Sequence, residues 1–553
     1  MKPLLLGLVV LALLVFAGLP LGAMLLQALD PAALAALRDP INLRALGNTA
    51  LLCLGVTLFS LAIGVPMGWL LGRTDLPGAA AWRVLLSLPY VVPPYIGAIA
   101  WTWLLNPTNG LLNRGLLGLG LPLFDIYSLG GMVWVLGLFL APFVFLGTAD
   151  ALSRIDPTLE EAARMSGASR FQVLRDVTLP LALPAIGAGA SFVVAFSAAA
   201  FGVPYLLAGG AAEPSWVLST RIYQALALDP ATGRPVAAAL SLLLLLVGVG
   251  LPAIARRLEG RRSFVSVTGK ANRGGRIVLG RWRWLAWGLL GSYALVAVVL
   301  PLVTIGLTSL MKGFGAGLHP DNLGFQHWTA VMLERPDTVQ SLLRSGGLAA
   351  SAATAATVIG GLVAWMAVRS PGRGSRSVAA LARLPYAVPG TVLALGLLLV
   401  FSQEIRLVVL DRASFSLVLL DTVWLLGIAY TVKHLAFPVG TIQAALQGLD
   451  PALEEAARMS GASWGRSLLD VVLPLLLPSV VASWFLVAMP AFSEITMSVL
   501  LYGPRTPVVG TVLFHLQSYA DPPAAAVLAV VLTAVVLMLS GGVRLLSRGR
   551  VGL

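Results

Sequence analysis

The chain has 553 residues, of which 58% are hydrophobic and only 11% charged, with a mean hydropathy of +0.89. That composition excludes a string of soluble domains and describes a polytopic membrane protein. The net charge of +13 raises nucleic acid as a partner, but its distribution follows membrane topology, and the single cysteine, Cys53, excludes an intrachain disulfide and a cysteine metal or iron–sulfur site.

Twelve apolar segments are predicted as spans, at about 4–29, 45–71, 84–105, 129–150, 181–208, 236–255, 284–310, 345–368, 384–402, 420–446, 475–501 and 524–543. The first could be taken for a signal peptide. Its apolar run continues to Leu29, so it is read as an uncleaved span. With the N-terminus inside and the spans alternating, 25 of the 37 Lys and Arg fall on the inner side and 11 on the outer, with Lys433 inside a span. This is the bias that orients membrane proteins, and it places both termini in the cytoplasm. The order divides into a first repeat at 1–255, a basic linker at 256–283 and a second repeat at 284–553. The linker composition suits a cytoplasmic segment lying near anionic lipid. It contains no nucleic-acid reader motif, so no nucleic-acid partner is expected.

Within the first repeat, Leu88-Pro89-Tyr90-Val91-Val92-Pro93 interrupts the third span. Leu384-Pro385-Tyr386-Ala387-Val388-Pro389 does the same in the ninth. Proline lacks the N–H a helix needs and clashes with the preceding turn, so both spans should break. Pro93 and Pro389 mark either packing kinks or pliable, path-lining helices.

Between the fourth and fifth spans lies a polar stretch, Asp156–Pro184, that recurs between the tenth and eleventh as Asp450–Pro478. Without a gap, 21 of 29 positions are identical. Its local physics is helix, turn, helix. Asp156 is the N-cap, with Pro157 at the first helical position. Glu160 and Glu161 favour the positive helix start. Leu159, Ala162, Ala163 and Ser166 form a narrow small-residue face. Gly167 supplies a left-handed stop. Ser169 and Gln172 form a capping box for the next helix; in the second copy Ser463 can cap, but Arg466 replaces the glutamine. Leu179-Pro180 and Leu473-Pro474 are expected to end the unit and lead into a span. Six spans per repeat return the chain to the same side, so the repeats are parallel rather than inverted.

Few residues could carry chemistry. Thr268-Gly269-Lys270-Ala271 lacks the glycine-rich lead and the magnesium-binding hydroxyl of a Walker A loop, so this chain is not expected to hydrolyse ATP. His319, His327, His434 and His515 have no accompanying ligand pattern, and no metal site is expected. Lys433 and Glu494 lie within predicted spans. A charge at the bilayer centre costs about 2.5–3.5 kcal/mol on insertion scales, so each should face protein or water. Their counterparts are read as Gly137 and Ala200. They are either a structural ion pair or residues of a translocation path.

The duplicated stretch resembles the EAA loop of ATP-binding-cassette importer permeases. That motif is Glu-Ala-Ala, three residues, Gly, nine residues, an aliphatic residue, one residue, Leu-Pro. Copy one supplies Glu161, Ala162, Ala163, Gly167, Val177, Leu179 and Pro180; copy two supplies Glu455, Ala456, Ala457, Gly461, Val471, Leu473 and Pro474. The whole chain resembles a fused, two-repeat permease of a type I importer. The runs LPYVVPPYIGAIAW, NPTNGLLN and IYSLGGMVW are closest to the iron(III) branch. The resemblance implies an all-α fold of about 12 spans in two parallel six-helix repeats, in a bacterial inner membrane. It implies coupling loops built on Glu160, Glu161, Ala162, Ala163 and Gly167, and on Glu454, Glu455, Ala456, Ala457 and Gly461. These would dock two separate ATPase subunits that use ATP and magnesium, this chain holding no cofactor itself. It further implies an outer substrate-binding protein and alternating access. Related permeases carry thiamine, phosphonates or polyamines, and an ATP-independent transporter or channel is the reading from another class.

Overall fold

The computed structural model describes residues 2–228, 230–258, 277–316, 318–402, 405–409, 413–518 and 521–546. Most of the linker, including Thr268–Ala271, lies outside them. Among the described residues, 9 helices are long and apolar enough to cross a membrane, and three bent helix pairs bring the number to as many as 12. These correspond one to one with the predicted spans. The bent pairs are Ala79–Val91 with Pro94–Leu105 (89°), Arg373–Ala387 with Gly390–Phe401 (109°) and Val423–His434 with Ala436–Gln447 (42°). The first two break where the prolines require. Val92 and Val388, each preceding a proline, are extended at ψ 128° and 130°.

The all-helical expectation needs one addition. An antiparallel hairpin joins Ile405–Val409 to Ala413–Leu417, with Leu407 opposite Phe415. Leu179-Pro180 and Leu473-Pro474 lead into the spans without breaking the helices before them. Phe171–Ala199 and Trp464–Phe492 run through. A wider π turn at Leu174–Thr178, and another at Ser467–Val472, precedes each proline. The ring would clash with the carbonyl four residues back, and the π turn lies over that carbonyl.

The fold forms two compact units that are not contiguous in sequence. One contains Pro40–Thr220 and Leu243–Thr308; the other contains Met1–Asp39, Arg221–Leu242 and Ser309–Leu553. The first span is thus grouped with the second repeat, and nearly all of the seventh span, Gly280–Ser309, with the first.

In the unit built on Pro40–Thr220, the second span, Pro40–Arg73, lies along Leu129–Ser153, and Leu179–Ala199 packs on both. In lipid there is little hydrophobic drive between helices, so small residues that admit close approach decide the contact. Gly64, Gly68 and Gly72 recur every fourth residue. A Cβ at Gly68 would meet Thr148 Cβ at 2.6 Å, and one at Gly72 would meet the Ala149 Cα at 2.9 Å. Backbone therefore touches backbone, and the final residue, Arg73, arrives where Leu129–Ser153 ends.

The other unit repeats this plan. Pro336–Arg369 packs against Ala436–Gln447 and Leu473–Phe492. Ala353, Ala356, Val363, Leu435 and Val439 are almost wholly buried there. Tyr90 stands edge-on to Phe143 with centroids 4.8 Å apart, and Tyr386 to Phe437 at the same distance. This matched pair fixes the register of the repeats in this region. Lys433, four residues before Phe437, therefore corresponds to Phe139, four residues before Phe143, and not to Gly137.

Candidate functional site

Each copy of the duplicated stretch forms the predicted helix–turn–helix at the end of its unit. In the first, the Asp156 carboxylate accepts from Thr158 N at 3.0 Å and opens the helix Pro157–Met165. That bond holds the Asp156 carboxyl below the usual aspartate range. In the second, Asp450 accepts from Ala452 N at 2.9 Å before the helix Ala452–Met459. The helices end on Gly167 at φ +89° and Gly461 at φ +86°. Ala168 N donates to Ala163 O, and Ala462 N to Ala457 O, each at 3.1 Å, which is the closure a left-handed glycine permits. The capping box forms in the first copy: Gln172 N donates to Ser169 Oγ at 3.3 Å and Ser169 N to Gln172 Oε1 at 2.8 Å. In the second only the Arg466 N to Ser463 Oγ half remains, at 3.4 Å.

The predicted residues then divide into two groups. Glu161, Ala162 and Gly167 are exposed, as are Glu455, Ala456 and Gly461, while Ala163 and Ala457 are half-buried. Met165 and Met459, which the sequence reading passed over, stand beside them at 89% and 90% exposure. A methionine so exposed in both copies gives each loop a soft, adaptable apolar tip. Glu160 and Glu454 point the other way, into their own units. Glu160 pairs with Arg73 at 2.7 Å, both side chains only 5% exposed, and accepts from the Thr178 hydroxyl at 2.7 Å. Arg164, one turn on, lies 3.6 Å from the same carboxylate. Glu454 pairs with Arg369 at 2.6 Å, with side chains 17% and 12% exposed.

Both arginines make a second, equivalent bond. Arg73 Nη1 donates to Ile155 O at 3.4 Å, and Arg369 Nη2 to Leu449 O at 3.0 Å. Ile155 and Leu449 are the residues before Asp156 and Asp450. Each arginine, the last residue of a long span, thus holds its loop at the entry and on the first helix together. The first clamp is drier and has the extra hydroxyl; Val472 occupies the position of Thr178 in the second. In the second loop Trp464 stands edge-on to Trp365 at 5.4 Å and supports the helix after the turn. Sequence reasoning counted Arg73 and Arg369 only as inner-side charges. Their recurrence at the ends of matching spans, opposite a repeated glutamate, was the available signal.

Lys433 and Glu494 do not pair directly. The Lys433 ammonium donates to Val388 O at 2.5 Å, Tyr386 O at 3.3 Å and Pro385 O at 3.4 Å, with its Nζ 5.8 Å from the Tyr386 ring centroid. These carbonyls surround the break at Pro389, which has no N–H to offer Pro385 O. Lys433 supplies what the broken helix lacks. In the other repeat Phe139 occupies its place and lies over Gly97, in the helix after the break. Glu494 Oε1 accepts from Met497 N at 2.8 Å, and Ser498 Oγ bridges Glu494 O and the Tyr430 hydroxyl, each at 2.7 Å. Pro93 and Pro389 stand at the two breaks. Of the histidines, His327 contacts Lys312 O at 3.1 Å, His515 contacts the Tyr502 hydroxyl at 2.6 Å, and His434 stacks on Phe437.

Comparison with known proteins agrees with this duplicated plan. The chain is 28% identical over 500 residues to "Probable ABC transporter permease protein y4fN" of Sinorhizobium fredii, covering 88% of this chain and 84% of that protein. It is 26% identical to the ferric transport system permease protein FbpB of Actinobacillus pleuropneumoniae, covering 77% of this chain and 59% of that protein. It is 32% identical to the molybdate/tungstate transport system permease protein WtpB of Thermococcus kodakarensis, over 28% of this chain and 56% of that protein. The family model for the binding-protein-dependent transport system inner membrane component matches twice, at residues 64–264 and 356–550. The chain therefore belongs to the family of inner membrane components of binding-protein-dependent transport systems, as a fused permease carrying the family's domain in two copies.

Proposed function

We propose that this permease imports iron(III) handed over by an outer substrate-binding protein, driven by two ATP-binding-cassette subunits docked on the loops at Pro157–Gly167 and Ala452–Gly461. The observation that carries the reading is the duplicated clamp. Each loop offers an exposed Glu-Ala-Ala…Met-Ser-Gly face while its inner glutamate is bonded to the last residue of a long span. A motor that pulls on the exposed face moves that span as well, because Arg73 and Arg369 bind loop and span together. ATP-driven closure of the motor subunits then shifts both loops at once and opens the path outward. Hydrolysis, in the partner subunits, resets it. The loops face the cytoplasm, as do the termini, which agrees with the excess of Lys and Arg on that side.

Similarity to FbpB supports iron as the cargo, because it extends over 77% of this chain, against 28% for WtpB. The breaks at Pro93 and Pro389, with Lys433 and Glu494 beside the second, are assigned to the path. The test is reconstitution with candidate ATPase and substrate-binding subunits. Radiolabelled iron(III) uptake that depends on ATP, and that unlabelled molybdate, thiamine, phosphonate or polyamine does not compete away, is the expected result. Uptake without ATP refutes the machinery; uptake of another solute instead refutes only the cargo. Glu494→Gln at normal protein level is expected to slow uptake, and an unchanged rate removes Glu494 from the path.

A further inference from the structure

The seventh span opens with a group of side chains that the transport reading leaves unused. Trp282 and Trp284 are 59% and 64% exposed. Beside each lies a guanidinium: Arg281 is 5.8 Å from the Trp282 ring centroid and Arg283 is 5.7 Å from that of Trp284. Trp284 also meets Trp287 edge-on at 5.3 Å. Among the described residues neither arginine is paired with a carboxylate. The residues just before them are tied to the first loop's clamp. Ile277 N donates to Arg73 O at 2.9 Å, Asp75 N to Ile277 O at 3.1 Å, and Leu279 N to the Asp75 carboxylate at 2.9 Å. Thr74 and Ile277 form a short parallel bridge. The following helix, Arg283–Ala294, packs on Ala79–Leu86 of the same unit. Among the described residues, no such bridge is made after Arg369 in the other unit.

We infer that Arg281, Trp282, Arg283 and Trp284 form a headgroup site for an anionic phospholipid, and that lipid bound there steadies the Arg73 clamp beneath the first loop. The chemistry fits at each point. Indoles at the start of a span sit at the water–hydrocarbon boundary. Two guanidinium forks without carboxylate partners match a phosphodiester. The cytoplasmic leaflet is the one rich in anionic lipid. Binding fixes Gly280–Trp284 at the membrane surface, and the bonds from Ile277 and Leu279 extend that restraint to Arg73 and Asp75. The lipid site stands apart from the transport reading; only its consequence for coupling rests on it.

The test uses the full chain in nanodiscs containing phosphatidylcholine and phosphatidylglycerol in equal parts, with one or the other lipid brominated. Fluorescence from Trp282 and Trp284 is taken as the difference between the parent protein and Trp282→Phe/Trp284→Phe. Brominated phosphatidylglycerol is expected to quench it more strongly than brominated phosphatidylcholine. Arg281→Gln/Arg283→Gln should lower that preference about five-fold for each arginine neutralised, while Arg281→Lys/Arg283→Lys, which keeps the charge without the fork, should lose less of it. Equal quenching by the two lipids, or a preference that survives the glutamines, overturns the site. Amide exchange in the first loop should be faster in phosphatidylcholine alone than in the mixture, and that in the second loop should not respond. First-loop exchange indifferent to lipid overturns the link to Arg73. A permease that keeps the lipid preference yet binds no ATPase supports the site and refutes the transport reading.

Discussion

Replacing Arg73 with alanine probes the clamp where it is driest. Arg73 and Glu160 are each 5% exposed and 2.7 Å apart, so the substitution leaves a carboxylate with little access to water. Removing one member of a buried pair costs about 3–5 kcal/mol. Glu160 keeps the Thr178 hydroxyl and the half-exposed Arg164, which places the expectation at the lower end, about 3 kcal/mol. That is roughly a hundred-fold increase in the opening of the first loop. In the wetter second clamp Glu454 can recruit solvent, and Arg369→Ala should cost about 2 kcal/mol, the loss of a charged hydrogen bond. Hydrogen exchange of the amides at 158–168 and 453–462, in nanodiscs, reads each opening separately. The double variant Arg73→Met/Glu160→Gln removes both charges and should recover most of the protection, because neither group is left buried and unpaired. Exchange at 158–168 unchanged by Arg73→Ala, or a double variant as loose as the single, would refute the claim that this pair anchors the loop.

Lys433→Met should leave the carbonyls at the Pro389 break without a donor and lower stability by about 2 kcal/mol or more, read as an earlier thermal unfolding of the purified permease; Lys433→Arg should restore part of it. Gly167→Ala and Gly461→Ala meet no neighbour within 4 Å, so their penalty is conformational, about 1–2 kcal/mol at a positive φ, and Asn should be tolerated better at both. Affinity for the proposed ATPase subunit, measured by titration, should fall with alanine at either position and fall less with asparagine. Ser169→Ala should cost about 1 kcal/mol of protection at 170–173, and Ser463→Ala a similar amount in the matching helix of the second loop, because each removes the one backbone N–H bond its hydroxyl accepts.

The features legible in sequence were those whose partners lie within a turn of the chain. Asp156 caps Thr158, Ser169 bonds Gln172, and Ala168 closes on Ala163 past the left-handed Gly167, all over five residues or fewer. The span breaks were legible because proline imposes them without help from elsewhere. Arg73 and Glu160 belong to different helices, and an arginine at the inner end of a span already has an explanation in membrane topology, so nothing in the one-dimensional pattern required a partner. Lys433 misled for a related reason. A buried cation invites a search for an anion, but its partners are backbone carbonyls 45, 47 and 48 residues away, released by the same prolines that had been recognised. The π turns before Pro180 and Pro474 were not legible, because nothing in the sequence shows that the turn before a proline will widen.

The two exposed loop faces are proposed to receive the motor. Cys53 is buried, so Met165→Cys and Met459→Cys each place an accessible thiol at the tip of one loop. Crosslinking these variants in native membranes that contain the partner ATPase is the most direct test. Both positions are expected to join to an ATPase subunit, and both thiols to be labelled only from the cytoplasmic side. Labelling from the outer side, or crosslinking at neither loop in a complex that still transports, would contradict the proposal.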